Sequence, residues 1–296
     1  MITATLYSDP ACPWAYSESP ALRVIEWRYG AQLDWKLVLI GLTESSEQYA
    51  KRGYTPLRGA LGQLMFRRYG MPFSPAPKAR LSATARACRA VVAARLASPG
   101  SEWAVFRAIQ LANFTGPLVL EDDEQLREVL RDVPGVDADA IVAALDSPEV
   151  TEAYEADKAK TRLAEGSAAQ LQGKTATTDG PVRFTAPSVV FQSNGTSLVA
   201  GGFQPVEAYD ILVANLDPTL TRKAPPETPE PLLEAFPSGL TTQEVAALLT
   251  QGNDAPDRKA AEAALIELLA EGKATRIALG DDALWLNGSD VSPLQS

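Results

Sequence analysis

The chain has 296 residues, enough for about two domains, and its 46% apolar content supports a sizeable core. It carries two cysteines, Cys12 and Cys88, and no histidine, which excludes four-ligand Cys/His zinc sites, Ser-His-Asp and Cys-His catalysis, and a multiply disulfide-bonded scaffold. The net charge of -10 disfavours a nucleic-acid partner, and no apolar run approaches the ~18 residues needed to span a bilayer as a helix.

The first residues, MITATLYSDP, lack the basic start and apolar stretch of a signal peptide, so a cytoplasmic protein is expected. Three Asn-x-Ser/Thr matches, at Asn113, Asn194 and Asn287, are accordingly read as chance. Residues 2–8 read as a strand, Pro13 to about Arg28 as a helix with proline in its first turn, and Leu33 to Leu42 as a second, buried strand. Strand, helix, strand at this spacing makes a βαβ unit. From about 44 to 175 the pattern is helical, including Trp103–Asn113, Glu124–Arg131, Asp137–Leu145 and a long stretch Glu149–Gln172. Strands return at Val189–Phe191 and Ser197–Ala200 around an Asn194-Gly195 turn, and Val206–Leu216 reads as a helix. Six prolines between 218 and 237 predict a linker too proline-dense for a helix. Thr241-Thr242-Gln243-Glu244 then starts a capped helix, followed by a helix over about Asp257–Glu271 and a hairpin over Ala274–Leu279 and Ala283–Leu286. Two helices and a hairpin suggest a small winged-helix-like domain.

The chemistry concentrates at Asp9-Pro10-Ala11-Cys12-Pro13-Trp14-Ala15-Tyr16, the junction of the first strand and first helix. A cysteine there faces unpaired helix N–H groups, which favours a thiolate and makes Cys12 a candidate nucleophile without histidine. The alternative is an inherited feature of the fold without activity. Cys88 lies on the apolar face Leu81, Ala85, Cys88, Val92 and reads as core filling. Trp14 and Tyr16 flank the thiol, either lining a groove or packing the first helical turn.

The Cys-Pro-Trp-x-Tyr turn after strand one resembles the DsbA family of thioredoxin-fold proteins, in particular its FrnE-like cytoplasmic branch. Ala186-Pro187-Ser188-Val189 stands where that family has a cis-proline before a strand, and Gly201–Glu207 resembles its loop before the last helix. The resemblance implies an α/β, thioredoxin-like domain over 1–217 with a helical insertion at about 44–175; beyond it the residues themselves read as a proline-rich linker at 218–239 and a winged-helix-like α+β domain at 240–296. It implies Cys12 as catalytic residue, with Pro13, Trp14, Tyr16, Ala186 and Pro187 binding substrate, Pro187 cis and the Ala186 backbone pairing with a peptide or thiol. Redox members carry a second cysteine three residues after the first, where this chain has Ala15. The implied chemistry is therefore monothiol: thiol–disulfide exchange through Cys12, stopping at a mixed disulfide until an outside thiol arrives.

Two rival readings remain at this stage. One is an enzyme like the related 2-hydroxychromene-2-carboxylate isomerases and kappa glutathione transferases. Those use serine at the position of Cys12, and Gln204-Pro205 stands here in place of their Asp-Arg pair. The other is a non-catalytic binding protein. No metal or organic cofactor is implied beyond a low-molecular-weight thiol as co-substrate. The expected partner is a thiol or disulfide, small molecule or protein, with no nucleic acid, no membrane and a homodimer as one option. Residues 51–107 carry eleven Lys/Arg against one acid, whereas 225–296 carry four against twelve. The tail is thus hostile to DNA, and complementarity between these two regions is expected within the chain or a dimer.

Overall fold

Alternation of buried and half-buried residues makes β1 (Ile2–Ser8) a strand with one face inward. It lies parallel to β2 (Leu33–Leu39), as a βαβ crossover requires. The crossover is two helices, α1 (Pro13–Ser17) and α2 (Ser19–Tyr29), rather than the one expected. The break falls at Glu18 because Pro20 has no amide hydrogen to donate back into the preceding turn. The computed structural model describes residues 1–178, 180–252 and 254–290.

The insertion holds α3 (Ser46–Lys51), α4 (Pro56–Phe66), α5 (Ala85–Ala97), α6 (Ser101–Thr115), α7 (Asp123–Arg131), α8 (Ala138–Ala144), α9 (Pro148–Thr161) and α10 (Ala168–Leu171). The stretch expected as one helix to Gln172 ends at Thr161, with Gly166 at φ +74° before α10 begins. A short pair, β3 (Thr175–Ala176) and β4 (Arg183–Phe184), leads into β5 (Ser188–Ser193) and β6 (Thr196–Gly201). The main sheet runs β2-β1-β5-β6, with β5 antiparallel to both neighbours. Its core packs Leu6, Ile25, Leu39, Val189 and Phe191 against Val91, Val105, Ile109 and Tyr154 of the insertion and Tyr209 and Val213 of α11 (Val206–Leu216). This is the mixed α/β architecture expected from the sequence, a four-stranded sheet with a large helical insertion.

The proline-rich segment is not purely extended. Pro231 sits in the first turn of α12 (Glu230–Ala235), where a missing N–H costs nothing. A C-terminal α+β region follows: β7 (Leu240–Thr241), α13 (Thr242–Leu249), α14 (Arg258–Ala270), β8 (Ala274–Leu279) and β9 (Asp282–Asn287), its strands ordered β7-β9-β8. The expected winged-helix-like segment extends to 296, and 291–296 lie outside the described residues. Leu240, Val245, Leu265 and Trp285 share one core with Val24 and Trp27 of α2.

The basic insertion and acidic tail meet within one chain. Arg107, 6% exposed, makes a two-pronged pair with fully buried Glu244, both contacts 2.7 Å, and donates to the Gly239 carbonyl. Glu244 also closes the capping box of α13, accepting from the Thr241 amide. Burial alone would raise the Glu244 carboxyl, but the Arg107 charge and hydrogen bonds hold it below its ordinary value. At the tip of the β8–β9 hairpin, Gly280 (φ +60°) passes so close to Phe73 and Thr115 that a Cβ would press on the Phe73 carbonyl. Asp281 beside it accepts from the Phe73 amide and pairs with Arg67, both at 2.8 Å.

Truncating one partner of a buried ion pair strands the other charge, so Glu244→Ala is expected to cost about 3–5 kcal/mol in urea unfolding. Because the folded Glu244 carboxyl is held low, its contribution is complete above the ordinary glutamate range of about 4.3 and fades as pH falls through the lower folded value. The stability gap between wild type and Glu244→Gln should narrow on acidification. A gap that does not change with pH would contradict this.

Candidate functional site

Cys12 is the N-cap of α1, its backbone extended (φ -82°, ψ 115°) and its carbonyl accepting from the Tyr16 amide at 3.0 Å. Its thiol is 6% exposed and donates to the Ala186 carbonyl at 3.2 Å. Ala186 begins the Ala186–Pro187 bond, which is cis. The loop before β5 is thereby laid against the first helix turn, bringing together residues 174 positions apart.

The expected activation of the thiol is not what this geometry produces. Burial pushes the Cys12 thiol up to about 12; the Ala15 and Trp14 amides and Arg183 pull it down, while Asp9 opposes ionisation. Removing the sulfur from water outweighs a helix end only five residues long. The bond to Ala186 also needs the thiol proton and so favours the neutral form.

The flanking residues separate. Pro13 is half-buried at the first position of α1, and Pro187 is buried at the foot of β5. Trp14 is 38% exposed and packs on Phe66, Tyr69 and Phe203 at centroid distances of 4.9, 5.8 and 5.6 Å. Tyr16 points the other way. It is 1% exposed, stacks on Phe114, meets Phe73 edge-on and donates to the Pro72 carbonyl. It therefore supports the turn from behind and presents no face to a ligand.

Asp9 was not singled out in the sequence, yet it is the hub of the site. Fully buried, it accepts from the Ala11 and Leu42 amides and the Thr84 hydroxyl, all at 2.9 Å. The Cys88 thiol points at the same carboxylate, 3.6 Å away, so Cys88 is core but not merely a hydrophobe. Burial raises the Asp9 carboxyl, and these hydrogen bonds offset part of the rise. Both cysteines are free thiols. An acid directly after a strand was the visible signal; its partners at 42, 84 and 88 come from the insertion and had none. Tyr49 of α3 and buried Arg183 also face this region and were unforeseen.

Much of the basic segment is spent on ion pairs within the chain. Arg86 pairs with Asp123 and Asp146, Arg95 with Asp157, Arg80 with Glu121, and Arg67 and Arg107 with the tail. Among the described residues no helix is long and apolar enough to cross a membrane.

Comparison with known proteins agrees with this geometry. The family profile of the DSBA-like thioredoxin domain matches residues 3–165. A structure of a probable DsbA oxidoreductase from Streptomyces coelicolor is similar at 20% identity and a TM-score of 0.55, covering 75% of this chain and 92% of its own. The cytosolic disulfide reductase DsbM from Pseudomonas aeruginosa, solved with GSH, is similar at 20% identity and a TM-score of 0.51, covering 72% of this chain and 98% of its own. At that identity the likeness is one of fold. No curated protein matches the chain.

A thiol near 12 sets a clear alkylation profile. On a Cys88→Ser background, the iodoacetamide rate at Cys12 should climb about tenfold per pH unit from 7 to 10 without levelling. A plateau below pH 8 would show an activated thiolate and overturn the burial argument.

Proposed function

Since the chain belongs to the DSBA-like thioredoxin domain family, we propose that it exchanges thiols and disulfides through Cys12 as a single nucleophile. The observation that carries this reading is the Cys12 sulfur lying 3.2 Å from the Ala186 carbonyl, at the mouth of the segment that enters β5. Cys12 attacks one sulfur of a disulfide, a Cys12–substrate bond forms, the substrate S–S bond breaks, and the second sulfur leaves with the proton Cys12 gives up. A thiol from outside then attacks the mixed disulfide and returns Cys12 to its reduced form. Ala15 leaves this last step to the outside thiol, because no neighbour can supply it internally.

The residues divide the work. At pH 7 a thiol near 12 is about one part in 10⁵ thiolate. Substrate binding has to change that: a backbone amide that takes the Ala186 carbonyl frees the sulfur, and the Ala15 and Trp14 amides then hold the growing negative charge. Trp14, Pro13 and Pro187 frame the approach. A low-molecular-weight thiol is the co-substrate, a reading supported by the neighbouring disulfide reductase solved with GSH. That neighbour is described as cytosolic, which supports a cytoplasmic setting. We read the chain as FrnE-like, with α13, α14 and the β8–β9 hairpin as a winged-helix-like unit serving structure rather than nucleic acid.

A second reading draws on one observation. The same burial that keeps Cys12 neutral suits a binding protein that has kept the fold without exchange.

Oxidised glutathione separates the two. Exchange predicts a glutathione adduct on Cys12 that persists until excess thiol is added, seen by intact mass. Ala15→Cys should shorten the life of that adduct at least tenfold by supplying the resolving attack. Absence of any adduct on Cys12 at pH 8 would favour the binding protein.

A further inference from the structure

A cleft of about 250 Å³ opens between α2, the 201–205 loop and α13, with Tyr69 and Phe203 of its lining packed on Trp14. We propose that this cleft binds a small amphipathic amine, an apolar body whose cationic nitrogen is held by Glu18. The volume lies below the ~300 Å³ at which drug-sized pockets begin, so the occupant is small. Ala21, Val24 and Val206 supply apolar walls, and Tyr69 and Phe203 add aromatic rings able to face a cation.

The polar groups point to a cation. Glu18 is 1% exposed and accepts from the Gln204 amide at 3.2 and 3.4 Å, with the Tyr209 hydroxyl beside it. A carboxylate offers about four acceptor positions, and a buried one stays charged only beside a positive charge; lacking one, Glu18 keeps its proton up to about 8, and a cation in the cleft would supply the missing partner. Among the described residues no lysine or arginine forms an ion pair with Glu18; Arg28, on the same cleft, pairs with Asp210. Ser17 lines the cleft too, and its buried hydroxyl has no hydrogen-bond partner among the described residues. Glu207 and Asp254 on the rim favour a cation over an anion.

The site carries a pH signature. Burial pushes the Glu18 carboxyl up to about 8. The groups facing it or sharing its cleft are Tyr209 and Glu207 on α11, Arg28 on α2, Tyr69 from the segment after α4, and Asp254 after α13. Below about 8 an arriving ammonium must drive off the Glu18 proton, whereas above it the carboxylate is already charged. Affinity therefore rises about tenfold per pH unit toward 8 and then levels. Phe203 and Tyr69 also pack on Trp14, which places the cleft next to the reactive turn, but binding itself does not need Cys12.

Isothermal titration with phenethylamine, against 2-phenylethanol as its neutral counterpart, tests the site on the full chain. The expected result is one saturable amine site with that pH slope and at least tenfold weaker binding of the alcohol. Glu18→Gln, whose amide oxygen can still accept from Gln204, should abolish both the preference and the slope. Val206→Phe should fill the cleft and remove binding, which covers a Glu18 variant that fails to fold. Cys12→Ser should bind like wild type, so this test stands apart from the exchange chemistry. No saturable amine binding, equal binding of the alcohol, or an unchanged slope in Glu18→Gln would overturn the proposal.

Discussion

One buried carboxylate holds the candidate site together. Asp9 opens the turn after β1, and through its hydrogen bonds it draws in the loop after β2 at Leu42 and the start of α5 at Thr84 and Cys88. Both belong to or lead into the helical insertion, which also meets the sheet through Asp157 on the Leu39 amide and Arg95 on the Leu37 carbonyl. Each partner is buried or nearly so, so the cost of desolvating the acid is recovered only if all of them arrive together. The position of Cys12, three residues on, is therefore set by the insertion as much as by the βαβ unit.

That placement has an energetic cost for the thiol. A rise from 9 to about 12 corresponds to about 4 kcal/mol against ionisation, at ~1.4 kcal/mol per unit. The amides of Ala15 and Trp14 work in the other direction but recover only part of it. A histidine or a cysteine three residues on could have tipped this balance; the chain has no histidine, Ala15 stands at that position, and the Cys88 thiol is turned to Asp9. Any exchange chemistry must then draw on the substrate to alter the surroundings of the sulfur, which couples recognition to reactivity.

The sequence revealed what depends on local pattern. The alternation in Ile2–Ser8, the Asn194-Gly195 turn and the Thr241/Glu244 capping box all matched their elements closely, because each is decided by neighbours a few residues apart. The juxtaposition of Cys12 with Ala186 was legible only through resemblance, since nothing local links positions so far apart. What went unseen was burial. The helix-end argument for Cys12 was right in sign and overruled in size by desolvation, a quantity no spacing rule contains. Tyr16 and Trp14 are two residues apart in the same motif, yet one faces the core and the other solvent. Glu18 had no signal in the sequence; Gln204 and Tyr209, nearly two hundred positions away, meet it only in the fold.

The pairing of Arg107 with Glu244 bears on how such a chain is assembled by evolution and taken apart by engineering. The thioredoxin-like portion surrenders part of its own surface to the tail: Val24 and Trp27 lie in the tail's core, and the Trp27 indole donates to the Ala224 carbonyl. Cutting within the proline-rich segment would leave Arg107 without its carboxylate and an apolar patch without its cover. The C-terminal region is thus no detachable appendage. Exchanging either half for another sequence would break the ion pair and uncover the apolar face at once.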